Sequence, residues 1–443
     1  MNKTRYGKAA LSGITLLLAT GMVLSGCGGN GDKNASSGGS DNGGGAGGKK
    51  SKVTVWYLWG GKEGQVIEDV IKRFNDSQDK ITVEGLSVPD EQKIKVAIAG
   101  GKGPDLTDSF ASNVAQYAKE GIALPLEDLI ARDKYDMSDF VPATLEQGKY
   151  DGKLFALPLN INMNGMFYNK KLLADAGYTE PPKTSKELIE MATKLTKTSG
   201  NGEIEVLGFP SYPGFPFQAL TYGFGGTYVS QDGKKATFDQ PGALEALQAI
   251  YDYNKQFGVN NIKQVQATGK WLDPTDPFMS GKQAFRFDGP WLSTFMANNN
   301  IKLDYGLAPL PYLDGHADLA GSNEAQSSIF YIAKNSKNVD GAWEFMKFMY
   351  SAPELAKVMG GMGNIPARTT SMKDPVFGTI ADADKFMEFA QNANVKALPN
   401  IAQLPDLLNK VVKEEGEAVF NLKKTPEEGI AAMQKRAQEL LDK

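Results

Sequence analysis

The chain has 443 residues, 41% of them hydrophobic and 23% charged, with a formal net charge of −4. That supplies apolar material for two domains of ordinary size, and a mildly acidic balance without basic clusters excludes a nucleic-acid or anionic-membrane binder. A single cysteine and a single histidine exclude an internal disulfide and the paired-cysteine or His-x-x-x-His sets that hold zinc.

Lys3, Arg5 and Lys8 precede an apolar run over residues 11–24. The run is shorter than the roughly 20 residues of a membrane span, so residues 1–26 read as a signal peptide. Leu24-Ser25-Gly26-Cys27 resembles the lipobox of bacterial lipoproteins. The resemblance implies a diacylglycerol on the Cys27 thiol, cleavage before it and acylation of the new N-terminus, with palmitate among the acyl groups. Two chains give stable anchoring, here to the extracellular side of the cytoplasmic membrane. Removing the leader takes three cations and no acids, so the mature chain is more acidic still. Residues 27–51 are dominated by Gly, Ser and Asn, a composition that cannot fold and behaves as a tether with a reach on the order of 25 Å.

Val53-Thr54-Val55-Trp56-Tyr57-Leu58-Trp59 has the composition of a buried strand, stopped by Gly60-Gly61. Val66, Ile67, Val70, Ile71 and Phe74 fall on one helical face, and Ile81-Thr82-Val83 begins a second strand. This order predicts a right-handed parallel unit. The glycines at 100, 101 and 103 lack the Gly-Lys-Ser/Thr of a phosphate loop. Ala243, Leu244, Leu247, Ile250 and Tyr251 form an amphipathic stripe, as do Ala342, Phe345, Met346 and Met349, continued by Leu355 and Val358. Thr425, Pro426, Glu427 and Glu428 open a final helix with a cap, a proline in its first turn and acids beside it. Strand–helix alternation over this length predicts an α/β chain of two doubly wound lobes.

Catalytic chemistry finds little support. No Gly-x-Ser-x-Gly elbow is present, and His316 sits in the polar turn Asp314-Gly315-His316-Ala317-Asp318 as a surface residue. The pairs Glu414-Glu415 and Glu427-Glu428 read as solvated helix faces. No metal and no cofactor is expected.

Four segments in order then point to a family. They are Gly103-Pro104-Asp105-Leu106 with 118–126, Leu154-Phe155-Ala156-Leu157-Pro158 through Met166-Phe167-Tyr168-Asn169-Lys170, residues 278–285 with Asp288-Gly289-Pro290-Trp291, and Asn364-Ile365-Pro366-Ala367-Arg368. Over residues 52–443 the chain resembles the extracellular solute-binding proteins of sugar ABC transporters, family 1, which includes maltose-binding protein. The resemblance implies two α/β lobes joined by crossing hinge segments, of the periplasmic-binding-protein type II arrangement. Residues 52–158 and 311–368 would form lobe 1, and 159–310 and 369–443 lobe 2, with a return of the last helix to lobe 1 left open. A sugar would sit in the crevice at the carboxyl ends of the strands, and lobe closure would trap it. A monomer that docks on ABC permease subunits is implied by the family alone.

Aromatic planes cover the apolar faces of a sugar, and amides, carboxylates and arginine satisfy its hydroxyls. Trp291, after the Gly-Pro turn, is the expected stacking residue, with Asp288 in the same motif. Trp59 lies nearer the carboxyl end of its strand than Trp56 and on the opposite face. Trp343 belongs to a helix stripe and is read as packing, and Trp271 as a lid or surface contact. Asn160, Asn162 and Asn164 alternate on one side of an extended stretch, and three amides are costly to bury without partners. An acid stands opposite Asn162 in maltose-binding protein, so the identity of the sugar does not carry over. Asp108, Ser109, Ser112 and Asn113 follow the Pro-Asp turn, and Ser322, Asn323 and Glu324 form another candidate loop. Arg368 donates to hydroxyls or locks its loop. Tyr212, Phe215 and Phe217 supply a second aromatic wall or pack a Pro-Gly loop. The alternatives in function are a cell-surface glycan-active enzyme, a two-lobed receptor for a non-sugar solute, and a binding protein that feeds a sensor kinase.

Overall fold

The computed structural model describes residues 50–211 and 215–443. The leader, Cys27, the tether and Tyr212 lie outside the described residues. Strand β1 (Ser51–Tyr57) buries Val53, Val55 and Tyr57 on one face, as β-branched and aromatic residues at period two should. Helix α1 (Gly61–Ser77) buries Ile67, Val70, Ile71 and Phe74 against the same core. Strand β2 (Ile81–Ser87) returns parallel to β1, the predicted unit. Gly85 gives α1 room where it crosses, since a Cβ there would press on the ends of the Glu68 and Ile71 side chains. Asp90 caps helix α2 (Glu91–Ala99) by accepting from the Lys93 N–H at 3.0 Å.

The Gly-Pro-Asp motif is a clamp. Asp105 Oδ2 accepts from the Thr54 N–H and hydroxyl, both at 2.9 Å, while Oδ1 accepts from Ser336 Oγ at 2.8 Å. This ties the entry of strand β3 (Leu106–Phe110) to β1 and to a segment more than 200 residues away. The sheet order is β2, β1, β3, then the antiparallel strand Ser328–Ile332, then Leu157–Pro158.

The second sheet centres on Gly165–Asn169, flanked antiparallel by Phe285–Asp288 and Tyr305–Ala308. The α/β, two-lobed expectation holds, but this ladder is not the doubly wound parallel one expected. Strand–helix alternation counts elements without fixing their neighbours, and both partners of Gly165–Asn169 enter from over 100 residues downstream in the opposite direction. Around it Pro241–Phe257, Lys413–Phe420 and Pro426–Leu441 build a separate core with Leu247, Ile250, Val419 and Met433. The last helix therefore packs in the second lobe, and its Thr425 and Glu428 form the predicted capping box. Thr369–Met372 and Pro375–Thr379 instead pack on Ala352–Met362, and Phe377 joins the first core.

The lobes are joined where three stretches meet. Ile365–Pro366 pairs antiparallel with Asn160–Ile161, and Asn162 bridges Gln326 on the other side. Among the described residues no helix is long and apolar enough to cross a membrane.

Candidate functional site

The crossing places amides side by side. One step beyond the Ile365–Ile161 pair, the same register sets Asn364 opposite Asn162, which is itself opposite Gln326. Directly opposed residues share a sheet face, so Asn364, Asn162 and Gln326 form a row. The oxygens of Asn162 and Asn364 are buried with no protein partner, as are Ser322 Oγ and Ser327 Oγ nearby. Buried polar atoms are paired in the great majority of cases, so these four unpaired oxygens make the join the candidate ligand contact.

Beside the row lies Glu324, 2% exposed. It accepts from Gln218 Nε2 at 2.5 Å and from Gln326 Nε2. Gln218 stands on the second-lobe helix Phe215–Gly223, so this carboxyl links a lobe to the crossing. Burial pushes its pKa up to about 7, against the pull of the two amide donors. Asp108 in β3 behaves alike. Burial raises it to about 8, opposed by the Leu58 N–H at 2.9 Å and reinforced by the charge of Glu91. That hydrogen bond fixes the turn carrying Trp59, whose ring packs 6.1 Å from Phe330.

A cavity of about 10 Å³, room for one hydroxyl or water, opens between the lobes. Ala111, Ser112 and Gln147 line it from the first lobe, Gln326 from the crossing, and Leu398, Pro399, Asn400 and Leu404 from the second. Helix Leu404–Asp406 abuts Ala111–Asn113 across it and runs into a π-helical stretch, Leu407–Val412, a widening frequent at functional sites.

Trp291 starts the helix Trp291–Asn298, half-buried against the first core, with its Nε1 buried and unpartnered. Gly289 is obligatory beneath it, because a Cβ would lie 2.2 Å from the indole ring. Trp271, 61% exposed, meets Trp291 edge-on at 6.5 Å and donates to Asp288 Oδ2 at 3.2 Å.

The predicted site residues thus separate. Ser112, Asn162 and Ser322 keep free polar atoms at the join or line the cavity; Trp59 and Trp291 both pack against the first core, and Asp108 is buried in β3. Phe215 is 41% exposed at its helix start. The Asn323 side chain is spent on the backbone of Asn164, through Asn323 Nδ2 to Asn164 O at 2.6 Å and the Asn164 N–H to Asn323 Oδ1 at 3.2 Å.

Four expectations need correction, and the alternatives left open at Arg368 and Phe217 resolve to structural roles. Asn160 is consumed by the fold, its Oδ1 accepting from the Ser328 N–H at 2.7 Å. The stretch from 159 to 166 is not one continuous strand but a two-residue ladder, a single bridge and a new strand, so the three asparagines serve different ends. Ser109 and Asn113 are held by Glu91 at the head of α2. Asp288 is spent on Arg286, Trp271 and the Gly289 N–H. Arg368 locks its loop, donating to Asp139 at 2.8 Å and Tyr350 O at 2.6 Å above the Phe140 ring. Phe217 is core, packed on Tyr228. Trp343 is fully buried and donates to Asp133, as packing demanded, and His316 is exposed.

Gln147, Gln218, Gln326 and Asn400 were not singled out from the sequence. Gln218, a polar residue inside the apolar run of Phe215–Gly223, carried a local signal. The other three are brought together only by tertiary contacts.

Two lobes meet over a polar crossing, with Trp59 and Trp291 packed on the first core. The chain belongs to the bacterial extracellular solute-binding proteins, whose family model matches residues 69–382. The matching model is SBP_bac_8, where family 1 had been expected. The chain is 27% identical over 328 residues to a maltotriose-binding protein of Pyrococcus abyssi, covering 73% of this chain and 68% of that one. It is 24% identical over 412 residues to the sn-glycerol-3-phosphate-binding periplasmic protein UgpB of Rhizobium meliloti, at 85% and 93% coverage. Among solved structures, the mannobiose-bound CpMnBP1 superposes with a TM-score of 0.79 at 26% identity, covering 88% of this chain and all of the other. These are binding proteins, and the chain is accordingly a binder and not an enzyme.

Proposed function

We propose that this protein captures a sugar or oligosaccharide between its lobes and delivers it to an ABC permease, from the extracellular side of the cytoplasmic membrane, anchored through lipidated Cys27. The observation that carries the reading is the row Asn364, Asn162 and Gln326, in which the buried, partnerless oxygens of Asn364 and Asn162 suit a ligand with hydroxyls around its rim. Trp291, with a free Nε1 beside the first core, supplies the flat face. The relatives that bind maltotriose and mannobiose support the same class. Closure works by differential affinity: a ligand that contacts both walls binds the closed arrangement better and so populates it.

Titration calorimetry with maltotriose and mannobiose tests the reading. Stoichiometric binding without turnover is expected, and Trp291→Ala should weaken it about tenfold or more while the thermal transition stays cooperative. Wild-type affinity in the folded variant removes Trp291 from the site. For the anchor, Cys27→Ser is expected to release the protein from membranes and abolish palmitate labelling.

A further inference from the structure

Three consecutive residues tie three parts of the molecule together. Asn323 holds the backbone of Asn164 in the crossing, at 2.6 and 3.2 Å. Ala325 O accepts from Gln147 Nε2 of the first lobe at 3.1 Å. Between them Glu324 accepts at one carboxylate oxygen from Gln218 Nε2 of the second lobe, at 2.5 Å, and at the other from Gln326 Nε2. Its own N–H is fixed on Asn323 Oδ1 at 2.9 Å. The backbone is therefore anchored, and the side chain alone spans the contact.

A carboxylate accepts on both oxygens, whereas a carboxylic acid donates from one of them. Protonation thus makes one amide turn its oxygen to the new O–H or part from it. No neighbouring charge takes over the task. Strand Asn323–Ala325 packs on helix Phe215–Gly223 and pairs in parallel with Val395–Ala397. Lys396 stands opposite Glu324 in that register, but its Nζ donates to Gly225 O at 3.2 Å. Glu146, on the first-lobe helix that carries Gln147, is paired with Lys149. Tyr222 and Tyr228 stay neutral, their phenols held well above the ordinary value by burial first and by the Glu324 charge as well. The proton on Glu324 is the charge change left to this contact.

From this geometry we infer that Glu324 is a positioning residue working as a proton-operated latch: ionised, it orders Gln218 and Gln326 across the contact between lobe and crossing, and protonated, it releases one of them. Only the effect on ligand rests on the carbohydrate reading above, through Gln326, which lines the inter-lobe cavity. An amide already held in place costs less to engage, so a sugar binds the ionised form more tightly. By linkage, its binding then expels a proton from Glu324. Burial sets the titration at about 7, where a modest change in acidity works the latch.

The first experiment follows the side-chain NH2 signals of Gln218 and Gln326 by NMR in the ligand-free protein, from about pH 5 to about pH 9. Both should move with one shared midpoint near neutrality, and in Glu324→Gln neither should titrate. Signals that stay still, or that titrate unchanged in the variant, overturn the latch. Calorimetry with maltotriose and mannobiose reads the coupling. Affinity should fall about fivefold to tenfold from about pH 8 to about pH 5.5, with proton release on binding seen in two buffers of different ionisation enthalpy. Glu324→Gln should bind with a level pH profile. An affinity that does not change with pH in the wild type, or proton uptake on binding, overturns the latch. So does a profile flattened by Asp108→Asn and not by Glu324→Gln, which would put the proton on the other buried acid. If neither sugar binds, the carbohydrate reading falls, and the amide titration by itself decides the latch.

Discussion

Two buried charged centres in this molecule are built on opposite plans. In the second lobe Arg286, with 8% of its side chain exposed, lies between Asp276 and Asp288, at 2.5 and 2.6 Å. At the crossing Glu324 is just as buried but faces only the amides of Gln218 and Gln326. The first centre satisfies its charge with opposite charge and holds a strand, a loop and Trp271 in fixed relation. The second satisfies it with dipoles alone, so burial dominates and its pKa climbs to about 7. A closed ionic cluster makes a rigid scaffold, whereas an acid held only by amides titrates close to neutrality where the lobes meet.

The largest effect expected from breaking the contrast is at Arg286. Arg286→Met strands two carboxylates in the interior and should cost about 3–5 kcal/mol, read as a lowered urea midpoint. A loss under about 1 kcal/mol would show that the acids find water. Next is the pH dependence of Glu324. Its folded pKa lies above the ordinary 4.5, so the folded chain holds the proton more tightly than the unfolded one. Stability from this group is therefore present at low pH, declines as pH rises from about 4.5 to about 7, and stays lost above that. The swing is of order 3 kcal/mol. Glu324→Gln should flatten that part of the stability–pH curve, and an unchanged slope would assign the titration elsewhere. Asp108→Asn makes the same comparison for a group at about 8, with the decline running between 3.8 and about 8, and keeps an acceptor for the Leu58 N–H. The smallest effect is Gln218→Ala. Removing one N–H donor from the carboxylate should move the Glu324 titration further up, visible as a shifted carboxyl infrared band, with little change in overall stability. A downward move would reverse the role given to that amide.

The same contrast explains what could be read in advance. Arg286 and Asp288 are two residues apart on one strand, so their shared face follows from the pleat. Glu324 and Gln218 are 106 residues apart, and no local pattern relates them. The Gly289-Pro290 turn before Trp291 is local, so the start of its helix could be read in advance, whereas the Asp105 clamp spans Thr54 and Ser336 and no local pattern announces it. Asn160 misled because alternation in sequence assumes one continuous strand, and the chain breaks it into pieces at the crossing.

By itself the sequence determined the first strand–helix–strand unit, the cap at Thr425 and the solute-binding class to which the chain belongs, because each depends on side chains within a few residues of one another. Only the tertiary structure decided that the second sheet is antiparallel, that Asp288 and Arg368 serve the scaffold, and that Gln147, Gln326 and Asn400 share a cavity. Those outcomes depend on which distant backbone carbonyls and carboxylates claim each polar hydrogen, a competition settled only when the lobes have packed.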